Sequence, residues 1–274
     1  MKYILAVFFY GFVCSLSYSQ ELGFVKPKNK GKFYLYWGWN RGAYTDSDIH
    51  FKGSDYDFVL YDVKAQDRQT PFSAHKYLHP GNLTIPQTNF RFGYFFHENY
   101  TISFGFDHMK YVMVQDQEVS IKGEIDGGYP YDGIYESTIE LTPEFLTYEH
   151  TDGLNYVNLE LNRFDDISAV FGLYATNFQI NLTEGLGLGF LFPRTDSSLL
   201  GKDNADDFHV SGFGLSAKVG LNFTIFKHFF IQTEFKSGYI NLTDVRTTNS
   251  ASDTATQDFG FVEGTLVFGG RFKL

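Results

Sequence analysis

The sequence is poor in cysteine, methionine, tryptophan and proline. In 274 residues there are 1 cysteine, 3 methionines, 2 tryptophans and 7 prolines. The cysteine, Cys14, sits in the apolar run that opens the chain, so no disulfide and no cysteine-based site is expected in the remainder. After that run, nothing approaches the ~20 consecutive apolar residues that a spanning helix needs, which excludes a helical membrane protein. A β-barrel is not excluded, because its strands cross as segments of about 10 alternating residues. Positive charge is scarce as well. Lys and Arg number 22 against 32 Asp and Glu, a net charge of -10, and such a chain is a poor match to nucleic acid. No cofactor motif is evident. "EIDGGYPYDG" (124–133) and "GKDNADDFH" (201–209) are calcium-like in composition but lack the spacing of a calcium hand, so no metal site is assigned.

What is abundant is aromatic. Phe is 31 and Tyr 19, aromatics reach 19% of the chain, and Gly is 27. The opening "MKYILAVFFYGFVCSLSYSQ" has Lys2, an apolar run from Tyr3 to Val13, and then Ser17 and Ser19 placed for a cut before Gln20. Residues 1–19 therefore read as a secretory signal peptide, and residues 20–274 as one mature domain.

The rest of the chain alternates with period two. In "GFGLSAKVGLNFTIF", Phe213, Leu215, Ala217, Val219, Leu221, Phe223 and Ile225 alternate with Ser216, Lys218, Asn222 and Thr224. Successive side chains on a strand point to opposite faces, so such a strand has one apolar and one polar face. At 14 residues, 213–226 is long beside the usual strand of 5–6. The connections also alternate: "FHENY" (96–100), "NRFDDI" (162–167) and "FKHFF" (226–230) are short, and the stretches between them are long and polar. Eight strands follow, at about 32–44, 88–97, 99–112, 152–163, 177–192, 208–226, 228–242 and 257–274. "YDFVLYDV" (56–63) is a further strand candidate that, with a partner, would raise the count to ten.

This pattern resembles the small outer-membrane β-barrels of diderm bacteria, with the architecture of OmpA, OmpX and the lipid A deacylases. The likeness is carried by the signal peptide, the alternating strands and the terminal "FGGRFKL", which is similar to the signal read by the barrel-insertion machinery. That family favours an aromatic as the last residue; here it is Leu274, with Phe272 two before it on the same face. The resemblance implies an all-β, closed, antiparallel, up-and-down transmembrane barrel in the bacterial outer membrane. It implies outer-membrane lipid and the insertion machinery as partners, and does not identify the extracellular partner of the acidic loops. The last strand is expected to pair with 32–44, with Leu266, Phe268, Phe272 and Leu274 facing lipid and Arg271 and Lys273 facing inward. Tyr34, Tyr36, Trp37, Trp39, Tyr100, Tyr111, Tyr239 and Phe272 are candidates for aromatic girdles.

An eight-stranded barrel is just wide enough for its own side chains. Lys218, Glu234, Lys236, Glu263, Arg271 and Lys273 are expected to line it as an internal charge network. The candidate catalytic residues lie at the outer ends of two strands: His150 and Asp152 in "YEHTDGLNY", and Asp107 and His108 in "FDHMKY". A histidine–carboxylate pair there would orient a water as general base, although Asp152 stands where a lipid hydrolase of this type carries its nucleophilic serine. Three functions remain open: a barrel with a structural or surface-interaction role and no open pore, an outer-leaflet lipid hydrolase, and a narrow channel or carrier for small hydrophobic molecules.

Overall fold

Long alternating segments become long strands. In chain order these are β1 (Phe33–Tyr44), β2 (Ser47–Lys52), β3 (Tyr56–Val63), β4 (Ala65–Gln66), β5 (Thr88–Phe95), β6 (Tyr100–Met113), β7 (Glu118–Ile125), β8 (Gly133–Glu140), β9 (Leu146–Asp166), β10 (Phe178–Leu191), β11 (Asp196–Leu199), β12 (Lys202–Ala205), β13 (Gly212–Ile225), β14 (Phe229–Arg246) and β15 (Thr254–Phe272). One short helix, α1 (Ala74–Leu78), lies between β4 and β5. The structure, a computed structural model, describes residues 28–82, 86–173, 177–250 and 252–274. The expected signal peptide lies outside the described residues.

Eight strands close a ring in the order β1, β5, β6, β9, β10, β13, β14, β15, and β15 pairs back to β1. The pairings are antiparallel. The closing seam sets Phe33 opposite Phe272, Trp37 opposite Phe268 and Tyr44 opposite Phe261. A ring has no open edge, so backbone polar groups along the paired staves find partners in the wall, as hydrocarbon surroundings demand. The short connections 96–99 and 226–228 gather at one end, with the start of β1 and the end of β15. In the tightest, Phe226 and Lys227 take left-handed φ values of 52° and 67°, which suits a two-residue hairpin turn.

The outer face of the ring is apolar. Leu186, Leu188 and Phe190 on β10, Phe213, Leu215 and Leu221 on β13, and Leu266, Phe268 and Phe272 on β15 are exposed there. The 14 residues of β13, at ~3.3 Å each and tilted by ~40°, rise on the order of 35 Å, enough to cross an apolar layer of ~25 Å. Two expected orientations need correction. Tyr34 and Tyr36 are buried and point inward, because they share the parity of Asn40 and not that of Trp37 and Trp39. Lys273 lies beyond the end of β15 and is exposed, so it is no part of the interior.

The long connections are more than solvated loops. From the outer end of β15 the sheet continues through β2, β3, β7 and β8. The β11–β12 hairpin pairs with the outer end of β9, and β4 with the outer end of β6. These pieces fold over the mouth around a shared core that includes Phe51, Phe58, Phe145, Tyr148, Leu199, Val245 and Phe259. The strand candidate 56–63 is β3; it belongs to this cap and leaves the ring at eight. The same packing explains why β9 begins at Leu146 rather than near 152.

The wall has one irregular panel. β5 begins at Thr88, whereas its neighbours continue to Tyr44 and Met113. Side chains bridge the gap. Asp67 accepts hydrogen bonds from the Gly42 amide at 2.8 Å and from Gln87 Nε2 at 2.6 Å, and Tyr44 donates to the Lys110 carbonyl at 2.9 Å.

Candidate functional site

The interior is filled in three layers. The floor, beside the short turns, is aromatic. The Arg271 guanidinium stands 5.3 Å from the rings of Phe95 and Phe164 and 5.7 Å from that of Phe230. It also donates to Asn222 Oδ1 at 3.0 Å. A cation enclosed by ring faces is stabilised by their quadrupoles where water cannot reach it.

The middle layer is ionic. Arg91, Lys218 and Lys236 face Asp107, Glu160, Glu234 and Glu263, all buried. Glu160 is the hub: it lies 3.0 Å from Arg91, 2.7 Å from Lys218 and 3.1 Å from Lys236. Lys218 also reaches Glu234 at 2.6 Å, and Lys236 pairs with Asp107. Tyr36 accepts from Arg91 Nε at 2.9 Å and donates to Glu234 at 3.3 Å. Glu263 accepts from Asn89 at 2.5 Å and, among the described residues, makes no ion pair. Buried charges persist when paired and hydrogen-bonded, and this network ties β5, β6, β9, β13 and β14 across the lumen. Arg91 and Glu160 were not among the expected lumen charges. Their parity was readable: Arg91 alternates with Phe90 and Phe92, and Glu160 with Leu159 and Leu161.

The cap core lies over the mouth. His150 lies in it, above the last lipid-facing positions of β9, with its ring 5.0 Å from that of Tyr148 and 5.6 Å from that of Tyr111. Its Nδ1 is 2.9 Å from Thr195 Oγ1. Burial pushes the imidazole down to about 3, so it is neutral at ordinary pH. Tyr111 is pushed up to about 12 by the same burial, and its hydroxyl accepts from Gln257 Nε2 at 2.5 Å. Tyr111 is therefore a core residue of the cap and no girdle residue.

The four candidate catalytic side chains occupy four different surroundings. His150 is in the cap core. Asp152 lies at an irregularity in the β6–β9 register and pairs with Arg194 at 2.8 Å on the surface. Next to it, Gly153 takes a φ of +143°, outside the usual range of residues with a side chain. Asp107 points into the lumen network, and His108, its neighbour on β6, points the other way and meets Asn155 at 2.8 Å. Each makes its hydrogen bonds to residues outside the set, so no histidine–carboxylate dyad forms among them. Thr151 donates to Glu149 at 2.7 Å, away from His150. In the calcium-like loop 124–133, Asp132 accepts from the amides of Gly127, Gly128 and Tyr129. Those hydrogen bonds hold its carboxyl below the usual range and fix the turn.

No protein-family model matches the chain, and neither does any curated protein. Solved structures do align with it. The outer membrane protein OprG from Pseudomonas aeruginosa is 13% identical, with 91% of this chain and 100% of that one covered, at a TM-score of 0.40. Ail, the attachment invasion locus protein of Yersinia pestis, is 12% identical over 89% of this chain and 99% of that one, at 0.35. Neisserial surface protein A is 12% identical over 89% and 100%, at 0.32. The fold itself rests on the strand pairing: the chain is a small eight-stranded β-barrel of the outer-membrane type, with its lumen filled and its mouth capped.

Proposed function

We propose that this protein acts at the outer face of the bacterial outer membrane through its folded cap, with the barrel as anchor, and that it neither conducts solutes nor catalyses. The observation that carries this reading is the filling of the interior. Aromatic floor, ion-paired middle and apolar cap core follow one another, with Tyr36 bonding the floor to Glu234 and Asn158 bonding Asp107 to the Tyr156 carbonyl of the cap core. A narrow channel would require the middle layer to part, and parting would leave buried charges without partners. The hydrolase reading would require the dyad that is absent from the four candidate residues. In the proposed life cycle, residues 1–19 direct export and are cut before Gln20. The insertion machinery then engages β15, which closes the ring against β1.

Planar-bilayer recording tests the reading. The wild-type protein is expected to give no conductance steps, and a variant with Glu160, Lys218 and Lys236 all replaced by alanine to give some. Regular steps from the wild type would overturn the proposal. Mass spectrometry of lipids from a deletion strain is expected to show unchanged lipid A and phospholipids; a missing hydrolysis product would restore the enzyme.

A further inference from the structure

Between β4 and β5 the chain leaves the ring and turns back against its outside. Ser73 caps α1 by accepting from the Lys76 amide at 3.1 Å, and Tyr77 donates to the Thr70 carbonyl at 2.7 Å. The Tyr77 ring lies 5.7 Å from that of Trp39. Trp39 is on the lipid side of β1, packed on Phe268 and Trp37. One outward position further along β1 is Arg41, which is exposed, so Trp39 marks the upper border of the apolar belt. The helix thus rests at the height of the outer leaflet's headgroups.

Its side chains suit that height. Among the described residues Phe72 is 79% exposed and Leu78 64%, with the Phe72 ring 5.2 Å from that of Tyr77. In an otherwise acidic protein, the segment 71–82, "PFSAHKYLHPGN", has no acidic residue. His79 Nδ1 accepts from the Gly81 amide at 3.1 Å, and His75 Nδ1 lies 3.3 Å from the Asn82 amide nitrogen. With both Nδ1 atoms accepting, each neutral ring carries its proton on Nε2 as a donor. The two rings stack at 5.0 Å beside Lys76. Apolar side chains next to a compact set of cationic and N–H donors are what an interfacial membrane segment presents.

We propose that residues 71–79 form an anchor in the outer leaflet, with Phe72 and Leu78 entering the acyl region and Lys76, His75 and His79 binding the phosphate of an anionic lipid headgroup. The belt around Trp39 continues directly into this surface, which commits the occupant to lipid rather than to a protein.

The test uses the full chain with Cys14→Ser as background, and one cysteine introduced at a time, Phe72→Cys, Leu78→Cys or Ile134→Cys, each labelled with an environment-sensitive fluorophore. Ile134, on the cap strand β8, is 90% exposed and serves as the aqueous reference. Heat-shifted mobility on gels confirms that each variant has folded. In phosphatidylcholine vesicles, labels at 72 and 78 are expected to be quenched by acyl-chain nitroxide and shielded from iodide, with the reverse at 134. Labels at 72 and 78 that behave like the one at 134 would overturn the anchor. Adding phosphatidic acid to the vesicles is expected to raise nitroxide quenching at 72 by about twofold, and His75→Ala/Lys76→Ala/His79→Ala to abolish that increment. No increment in the unsubstituted background would overturn the headgroup contact. A silent bilayer recording together with an aqueous label at 72 would leave the surface-protein reading standing and remove this one.

Discussion

Single residues in this barrel owe their state to burial and to what faces them. His150 is the clearest case. Its pKa in the folded cap is about 3 against an ordinary 6.5. The unfolded cap therefore binds a proton that the folded cap refuses. Stability is complete above 6.5 and is lost as the pH falls from there toward 3, at ~1.4 kcal/mol per pH unit. Proteolysis of the cap over that range should show the slope, and His150→Phe should remove it. Within the lumen, Glu160 and Glu263 make a contrasting pair. Glu160 contacts all three cations, so Glu160→Gln leaves charge uncompensated and should cost about 3–5 kcal/mol. Glu263 accepts from the Asn89 side-chain amide and makes no ion pair among the described residues, so Glu263→Gln should stay within about 1 kcal/mol of wild type. Urea unfolding in detergent micelles would measure both, and equal effects would show that Glu160 is not the hub. The four candidate catalytic residues share only their nearness in sequence to strand ends. A shift in register at Asp152 and the opposite faces of Asp107 and His108 separate them, and the alternation of residues 107 and 108 was already enough to part that pair.

At the scale of elements, the staves were legible because period-two alternation survives any tertiary detail: one face meets lipid and the other meets the lumen. The cap strands were not. β3 was visible as a candidate, but β2, β7, β8, β11 and β12 are short, polar on their outer faces and interrupted by turn residues. Their apolar positions become a core only when four separate connections meet over the mouth. Phe145 shows the dependence: it is fully buried, 5.9 Å from Phe58 on β3 and 5.0 Å from Tyr131 in the β7–β8 connection, in ring-centre distance. Phe145→Ala should destabilise the cap by about 3–5 kcal/mol, visible as faster amide exchange in β2, β3 and β7 with the staves unchanged. Uniform acceleration across cap and staves would show that the two do not unfold separately. The irregular panel makes a finer forecast. Asp67 replaces ladder bonds with side-chain bonds, so Asp67→Ala should speed exchange of the Gly42 amide about tenfold or more.

For the whole molecule, two bodies of different chemistry share one chain. The staves are held by a closed hydrogen-bonded ring and by lipid, the cap by an aqueous apolar core. Denaturant should therefore unfold the cap first, giving two transitions by tyrosine fluorescence and gel mobility; a single coincident transition would argue for one cooperative unit. The choice of eight staves over ten needed the placement of β3 in the cap, whereas the sequence by itself determined the all-β class, the positions and directions of the staves, the up-and-down order, and which faces are apolar. These follow from the pleat and from the alternation of short and long connections, both local properties. Tertiary structure alone decided that the long connections meet in one core over the mouth, that Arg91, Asp107, Glu160, Lys218 and Lys236 meet as one network, and that His150 and Asp152 are strangers. Those outcomes depend on distances between residues far apart in the chain. The terminal strand depends on both. Its alternation marks Phe268 and Phe272 for lipid, but only ring closure brings Phe272 opposite Phe33 and sets Arg271 among three aromatic rings, because that contact exists only when the first and last staves meet.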